Sequence, residues 1–253
     1  MYGNDEKSST NKGRSNRGYH ANTFRLRTTC TAVVTTNGLA TMYYNPSARA
    51  WKSQYKVDPA VLPFHRTLPS YGQSPLHKLP QSFCEKLGVG SILVKDESHR
   101  FGLPAYKILG ASWGCYRTVT KELGLPLTTS LEKVKEAAQH AKFQYYTATD
   151  GNWGRSVARM ATILGASAHI YVPKVMIEST RWKIAQEGAT VVVVDGDYDQ
   201  AVKEAERVCT ETGGLLMEDT AWPGYEEIPQ VSSLTMCSFD TEHVSGSLMD
   251  TQQ

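Results

Sequence analysis

The 253-residue chain sets 27 lysines and arginines against 25 aspartates and glutamates, a net charge of +2, with 40% hydrophobic and 21% charged residues. That balance suits a globular protein with a sizeable core and gives no basic field for nucleic acid or an anionic membrane surface. Val191–Val194, the longest purely aliphatic run, is too short to span a bilayer, and the scattered Cys30, Cys84, Cys115, Cys209 and Cys237 form no Cys-x-x-Cys pair.

The cysteine pattern argues against a disulfide framework and a zinc site, and reads as reduced thiols in a cytosolic protein. Residues 1–70 are rich in Asn, Thr, Arg and Pro and are expected to be mostly irregular, with Met1–Gly18 a polar tail. Asp5 and Glu6 speak against a mitochondrial presequence, and no apolar segment follows as in a secretory signal.

A regular pattern then begins. Ser91–Val94 reads as a short strand, and Ala105–Leu123 as a helix with Ile108, Leu109 and Trp113 on one side. Ser130 is an N-cap for a helix over Leu131–Ala141. Strands are predicted at Gln144–Ala148, Ala168–Val172, Ala189–Val194 and Leu215–Met217. Helices are predicted at Trp153–Leu164, Ile177–Glu187 and Tyr198–Thr212, each followed by a glycine that suits a left-handed C-cap. Short strands alternating with longer helices imply an α/β fold, a parallel sheet with helices on both faces. From about Val231 to Gln253 the chain turns Ser/Thr-rich and loses periodicity, so a divergent, disordered tail is expected there.

In such sheets, ligands bind beyond the carboxyl ends of the strands. Two polar turns fall there, Lys95–Gly102 and Thr149–Asn152, each leading into a predicted helix. Lys107 opens the helix after the first turn among apolar residues, a placement in which an amine is partly desolvated and nucleophilic. The same position also suits an ordinary surface lysine. Asp150 is a candidate general base and Asn152 a donor and acceptor at a helix start, although Asp-Gly and Gly-Asn pairs are also plain turn formers. Asp96 and Glu97 beside Lys95 and Arg100 suggest a local ion-pair cluster, and Tyr225, Glu226 and Glu227 a solvated acidic segment. Dinucleotide, phosphate-loop, nucleophile-elbow and zinc-protease motifs are absent from the sequence.

The ordered set Leu93-Val-Lys-Asp-Glu-Ser98, Arg100-Phe-Gly-Leu103, Ala105-Tyr-Lys107, Thr149-Asp-Gly-Asn152, Gly154-Arg155, Tyr171-Val-Pro-Lys174 and Glu218-Asp-Thr-Ala-Trp222 resembles the pyridoxal-phosphate enzymes of the tryptophan synthase β-like fold. Within them it is most similar to the diaminopropionate ammonia-lyases. The resemblance covers about Tyr71 to Pro229, so residues 71–230 are expected to form a partial domain of that family, with the larger second domain incomplete.

The resemblance implies pyridoxal 5'-phosphate as cofactor, no metal, and a small amino acid as substrate. It makes Lys107 the Schiff-base lysine, Asn152 the partner of the cofactor's phenolic oxygen, and Asp150 a second base. Asp219 matches an acidic residue near the substrate amino group, and Tyr198 an active-site tyrosine. The implied reaction is α,β-elimination from 2,3-diaminopropionate to pyruvate and ammonia. A threonine/serine dehydratase-like lyase, or a non-catalytic remnant acting as an interaction module, is the alternative. The implied association is a homodimer or a complex with a full-length relative. Trp153 replaces the family's usual histidine, adding bulk next to Asn152, and the chain is expected to be truncated after about residue 230.

Overall fold

The computed structural model describes residues 58–236 and, apart from them, strands β1 (Val33–Val34) and β2 (Met42–Tyr43). These two strands pair antiparallel, Val33 opposite Tyr43. The expected tail Met1–Gly18, and Cys30 and Cys237, lie outside the described residues.

The main body is built on four parallel strands, β5 (Gln144–Ala148), β6 (Ser167–Pro173), β7 (Thr190–Val194) and β8 (Leu215–Leu216), in the order β7-β6-β5-β8. Helices α5 (Asn152–Leu164), α6 (Glu178–Ala185) and α7 (Tyr198–Thr212) make the crossovers. Helices α3 (Lys107–Glu122) and α4 (Leu131–Ala141) pack against α5, and α1 (Val61–Thr67) packs on α3. Helix α7 lies on β5 and β6 but belongs to a separate apolar cluster, with Tyr146, Ala148, Tyr171, Ala201, Ala205 and Cys209 buried together. The larger cluster, centred on Trp113, Tyr116, Tyr145, Trp153, Met160 and Ile170, fills the space on the α3 and α5 side. The sheet thus has helices on both faces, as the alternation of apolar strands and helices required.

The helix ends follow local chemistry. Ser130 accepts from Lys133 N, and Asp197 and Gln200 form a reciprocal capping box at the start of α7. Gly165 and Gly213 end α5 and α7 in the left-handed region, where a side chain would be strained.

Three expectations need correction. The strand expected at Ser91–Val94 is β4 (Leu93–Lys95), and it does not join the parallel sheet. It pairs antiparallel with β3 (Leu76–Lys78) after a short helix α2 (Gln81–Lys86). An apolar run fixes that a segment is extended, not which strand it pairs with. Second, the stretch expected to be mostly irregular contains α1, whose Val61, Phe64 and His65 are buried. Third, residues 227–236 are helical, so the expected disordered tail does not begin at 231. Ser232 and Thr235 are buried there, and Ser232 packs so closely on Gly110 that a Cβ at 110 would lie 2.7 Å from the Ser232 carbonyl oxygen. A glycine on α3 is what admits that helix.

Candidate active site

Strands β5, β6 and β7 step one way across the sheet, and the chain then returns past β5 to place β8 on its other side. The reversal makes the β5–β8 seam the topological switch point, where the loops leave a crevice. Asp150 follows β5 and Asp219 follows β8, so the seam separates two of the predicted site residues. The other three predicted residues share a position: Lys107, Asn152 and Tyr198 are the first residues of α3, α5 and α7.

Lys107 Nζ donates to Asp219 Oδ2 at 2.7 Å, bringing together residues 112 apart in sequence. Their side chains are 31% and 18% exposed, so the pair is partly screened from water but open to a ligand. Tyr198 is electrostatically coupled to Glu218, Asp219 and Asp150, which places it in the same field. Burial, and then those carboxylates, push its phenol well above the usual range, against the opposing effect of the Thr220 hydroxyl. The Tyr198 hydroxyl is therefore a proton-bearing group at neutral pH.

The turn carrying Asp150 is set by Thr149. This residue is buried, and its Oγ1 accepts from Gly151 N and Gly154 N, both at 3.0 Å. The hydroxyl does the work of an N-cap for α5. Gly154 is required behind it, because an added Cβ would meet Thr149 Cγ2 and lie 2.8 Å from Ile170 Cγ2. Asp150 and Asn152 are exposed on the outer side of this turn.

The segment before Lys107 is braced on two sides. Arg100 is buried, and its guanidinium binds both oxygens of Glu97, at 2.5 Å each, and the Ser74 hydroxyl; of the expected ion-pair cluster this is the part observed, since Asp96 faces His77 and Lys95 donates to the Ser74 carbonyl. Arg159 on α5 donates to the Phe101 carbonyl at 2.9 Å, and it shares the buried Glu187 carboxylate with Arg155.

Three residues read differently in the structure. Trp153 does not face the site: it is 1% exposed, and its Nε1 donates to Met217 O at 2.8 Å and Thr147 Oγ1 at 3.2 Å. It is a core residue that joins β5 to β8. Tyr225 is not part of a solvated segment; its hydroxyl donates to Leu216 O at 2.9 Å and accepts from Glu218 N at 2.8 Å, shaping the loop that holds Asp219. Glu218, given no role by the sequence reading, is fully buried, and its Oε1 accepts from Ala148 N at 2.5 Å. Its place at the end of a strand, directly before Asp219, was the only available signal.

A primary amine open to a ligand and an exposed asparagine at a helix start suit an aldehyde cofactor and its ring oxygen, and the carboxylate holds the amine; none of the three accounts for a phosphate. The model of the pyridoxal-phosphate dependent enzyme family matches residues 67–232, and the chain belongs to that family. A diaminopropionate ammonia-lyase of Salmonella typhimurium is 41% identical over 175 residues, 67% of this chain and 43% of that protein. The apo crystal structure of Escherichia coli diaminopropionate ammonia lyase superposes with a TM-score of 0.69 at 33% identity, covering 76% of this chain and 55% of that one. The same enzyme in complex with D-serine gives 0.71 at 32% identity, covering 78% and 53%. The chain therefore spans about half the length of the proteins it matches. Among the described residues, no helix is long and apolar enough to cross a membrane.

Proposed function

We propose that the chain carries the lysine-bearing half of a pyridoxal-phosphate lyase site that eliminates ammonia from 2,3-diaminopropionate, yielding pyruvate and ammonia. The observation that carries this reading is the Lys107–Asp219 pair at the switch point, 2.7 Å apart and partly exposed. The similarity to diaminopropionate ammonia-lyases supports the substrate.

Lys107 would hold the cofactor through its amine, and Asn152 would face the ring's phenolic oxygen. When bound, pyridoxal phosphate supplies an electron sink that acidifies the substrate's Cα–H. The chain's own residues do the rest. Asp219, which pairs with the Lys107 ammonium in the cofactor-free chain, would turn to the ammonium of the arriving amino acid. In its neutral form, Lys107 Nζ would take the Cα proton of one enantiomer, and the Asp150 carboxylate would take that of the other. Tyr198, kept protonated, lines the same crevice.

The scattered thiols support a cytosolic location, and we place the working enzyme in an assembly with a second copy or with a full-length relative. The test is direct. The full chain, mixed with pyridoxal phosphate and reduced with borohydride, is expected to carry the cofactor on Lys107, and Lys107→Ala is expected to carry none. Pyruvate release is then compared for 2,3-diaminopropionate, serine and threonine. A wild-type chain that traps no cofactor overturns the reading; faster release from serine or threonine transfers it to a dehydratase-like lyase.

A further inference from the structure

Glu218 and Asp219 are adjacent, but their carboxylates serve different partners. Asp219 pairs with Lys107, whereas Glu218 reaches the Ala148 amide at the end of β5. The Glu218 backbone N–H is held by Tyr225, so this one residue binds two segments at once. Its second oxygen, Oε2, is buried and makes no hydrogen bond of ordinary geometry among the described residues, although the Thr147 hydroxyl is near enough to act on the carboxyl. A buried carboxyl with one oxygen so poorly satisfied is costly as an anion.

We propose that Glu218 is the positioning residue of this site: its buried carboxyl fastens the end of β8 to the end of β5 and so fixes the spacing between the Lys107–Asp219 pair and the Asp150–Asn152 turn. The importance of that spacing rests on the function proposed above for Lys107 and Asp219. The fastening itself does not.

The carboxyl acts in its neutral form. Burial pushes its pKa up to about 8; the Ala148 amide opposes this, Asp219 adds to it, the Thr147 hydroxyl opposes and Glu206 adds. Tyr198 on α7 and Tyr225 beyond β8 share its field. The sign of the linkage follows. A carboxyl ionised in the unfolded chain above about 4.5 keeps its proton in the folded chain up to about 8. The folded state therefore binds the extra proton, and stability falls as pH rises across that window.

The experiment compares wild type, Glu218→Gln and Glu218→Ala in the full chain, by amide exchange at Ala148–Gly151 corrected for the intrinsic rate, by urea melts across pH and by borohydride trapping at Lys107. Glutamine keeps an acceptor for Ala148 N and cannot ionise. Protection of the Ala148 amide should fall about tenfold in Glu218→Ala, as expected for one lost hydrogen bond, and stay within about twofold of wild type in Glu218→Gln near pH 7. Between about pH 5 and about pH 8 the urea midpoint of wild type should fall relative to that of Glu218→Gln, because only the folded wild type holds the Glu218 proton across that window. Trapping should follow the same order. Unchanged protection in a folded Glu218→Ala, or equal losses in both variants, overturns the proposal. If the alanine variant does not fold, the comparison of wild type with Glu218→Gln decides: identical pH profiles overturn it. A wild type that traps no cofactor sinks the lyase reading alone, since the exchange data still decide on Glu218.

Discussion

Lys107 Nζ and Asp219 Oδ2 meet at 2.7 Å, joining the first residue of α3 to the loop after β8. The lysine is therefore held by a partly exposed carboxylate, the one that the proposed function assigns to the substrate ammonium.

Replacing that carboxylate separates its two roles. Asp219→Asn should lower kcat/KM for 2,3-diaminopropionate by about tenfold to a hundredfold, the range for losing a hydrogen bond to a charged group. The folded state should change by less than about 1 kcal/mol, because the pair is partly exposed to solvent. Steady-state kinetics beside urea melts checks both halves.

The structure also contains an acid-sensitive joint away from the site. His65 on α1 is fully buried, with Nε2 against Leu109 O and Ser112 Oγ of α3. Burial, as the largest influence, lowers its pKa from 6.5 to about 4. The unfolded chain takes up this proton near 6.5, whereas the folded chain refuses it until about 4, so stability is lost as pH falls through that window. His65→Gln should flatten the dependence of urea midpoints on pH between these two values.

Gly154→Ala should disturb the Asp150–Asn152 turn. The added methyl group would press on Thr149, whose hydroxyl holds that turn, and on Ile170. Overpacking of this kind costs about 1–3 kcal/mol. Thermal melts give the cost, and a drop in cofactor trapping at Lys107 would show that the displacement reaches the site.

Glu187→Gln should be more damaging than a surface charge change. The Glu187 carboxylate is 7% exposed and accepts from Arg155 Nη2 at 2.6 Å and Arg159 Nε at 2.7 Å. Because both arginines are partly exposed and glutamine keeps an acceptor, the cost should be about 1.5–3 kcal/mol, the range for hydrogen bonds to charged groups. Because Arg159 also holds the Phe101 carbonyl, amide exchange in residues 100–103 should speed up as well.

Most of the parallel sheet was legible because α5 and α7 are amphipathic and end at glycines, whereas α6 ends at Gln186, short of the glycine expected to cap it. The bounds predicted for Leu131–Ala141, Gln144–Ala148 and Tyr198–Thr212 are those observed. What was not legible depends on partners distant in sequence. Nothing local says that β4 pairs with β3 or that Tyr225 reaches Leu216 and Glu218. The helix over 227–236 was hidden by Pro229 and by its hydroxyl residues, yet a proline is tolerated in a first helical turn, where its missing N–H bonds nothing. Lys107, Asn152 and Tyr198 were named as candidates by resemblance. Each was already expected at a helix start; what the structure adds is the contact between Lys107 and Asp219, residues far apart in sequence.

The pairing of β5 with β8 extends over two residues, Tyr145 with Leu215 and Tyr146 with Leu216. Beyond it, the Met217 amide still reaches Tyr146 O, and then the ladder stops and side chains continue it: the Trp153 indole on Met217 O and the Glu218 carboxyl on Ala148 N. Rungs made of side chains can be exchanged one at a time by substitution, which backbone rungs cannot. The distance between the two walls of the crevice is therefore open to stepwise adjustment in a way the rest of the sheet is not.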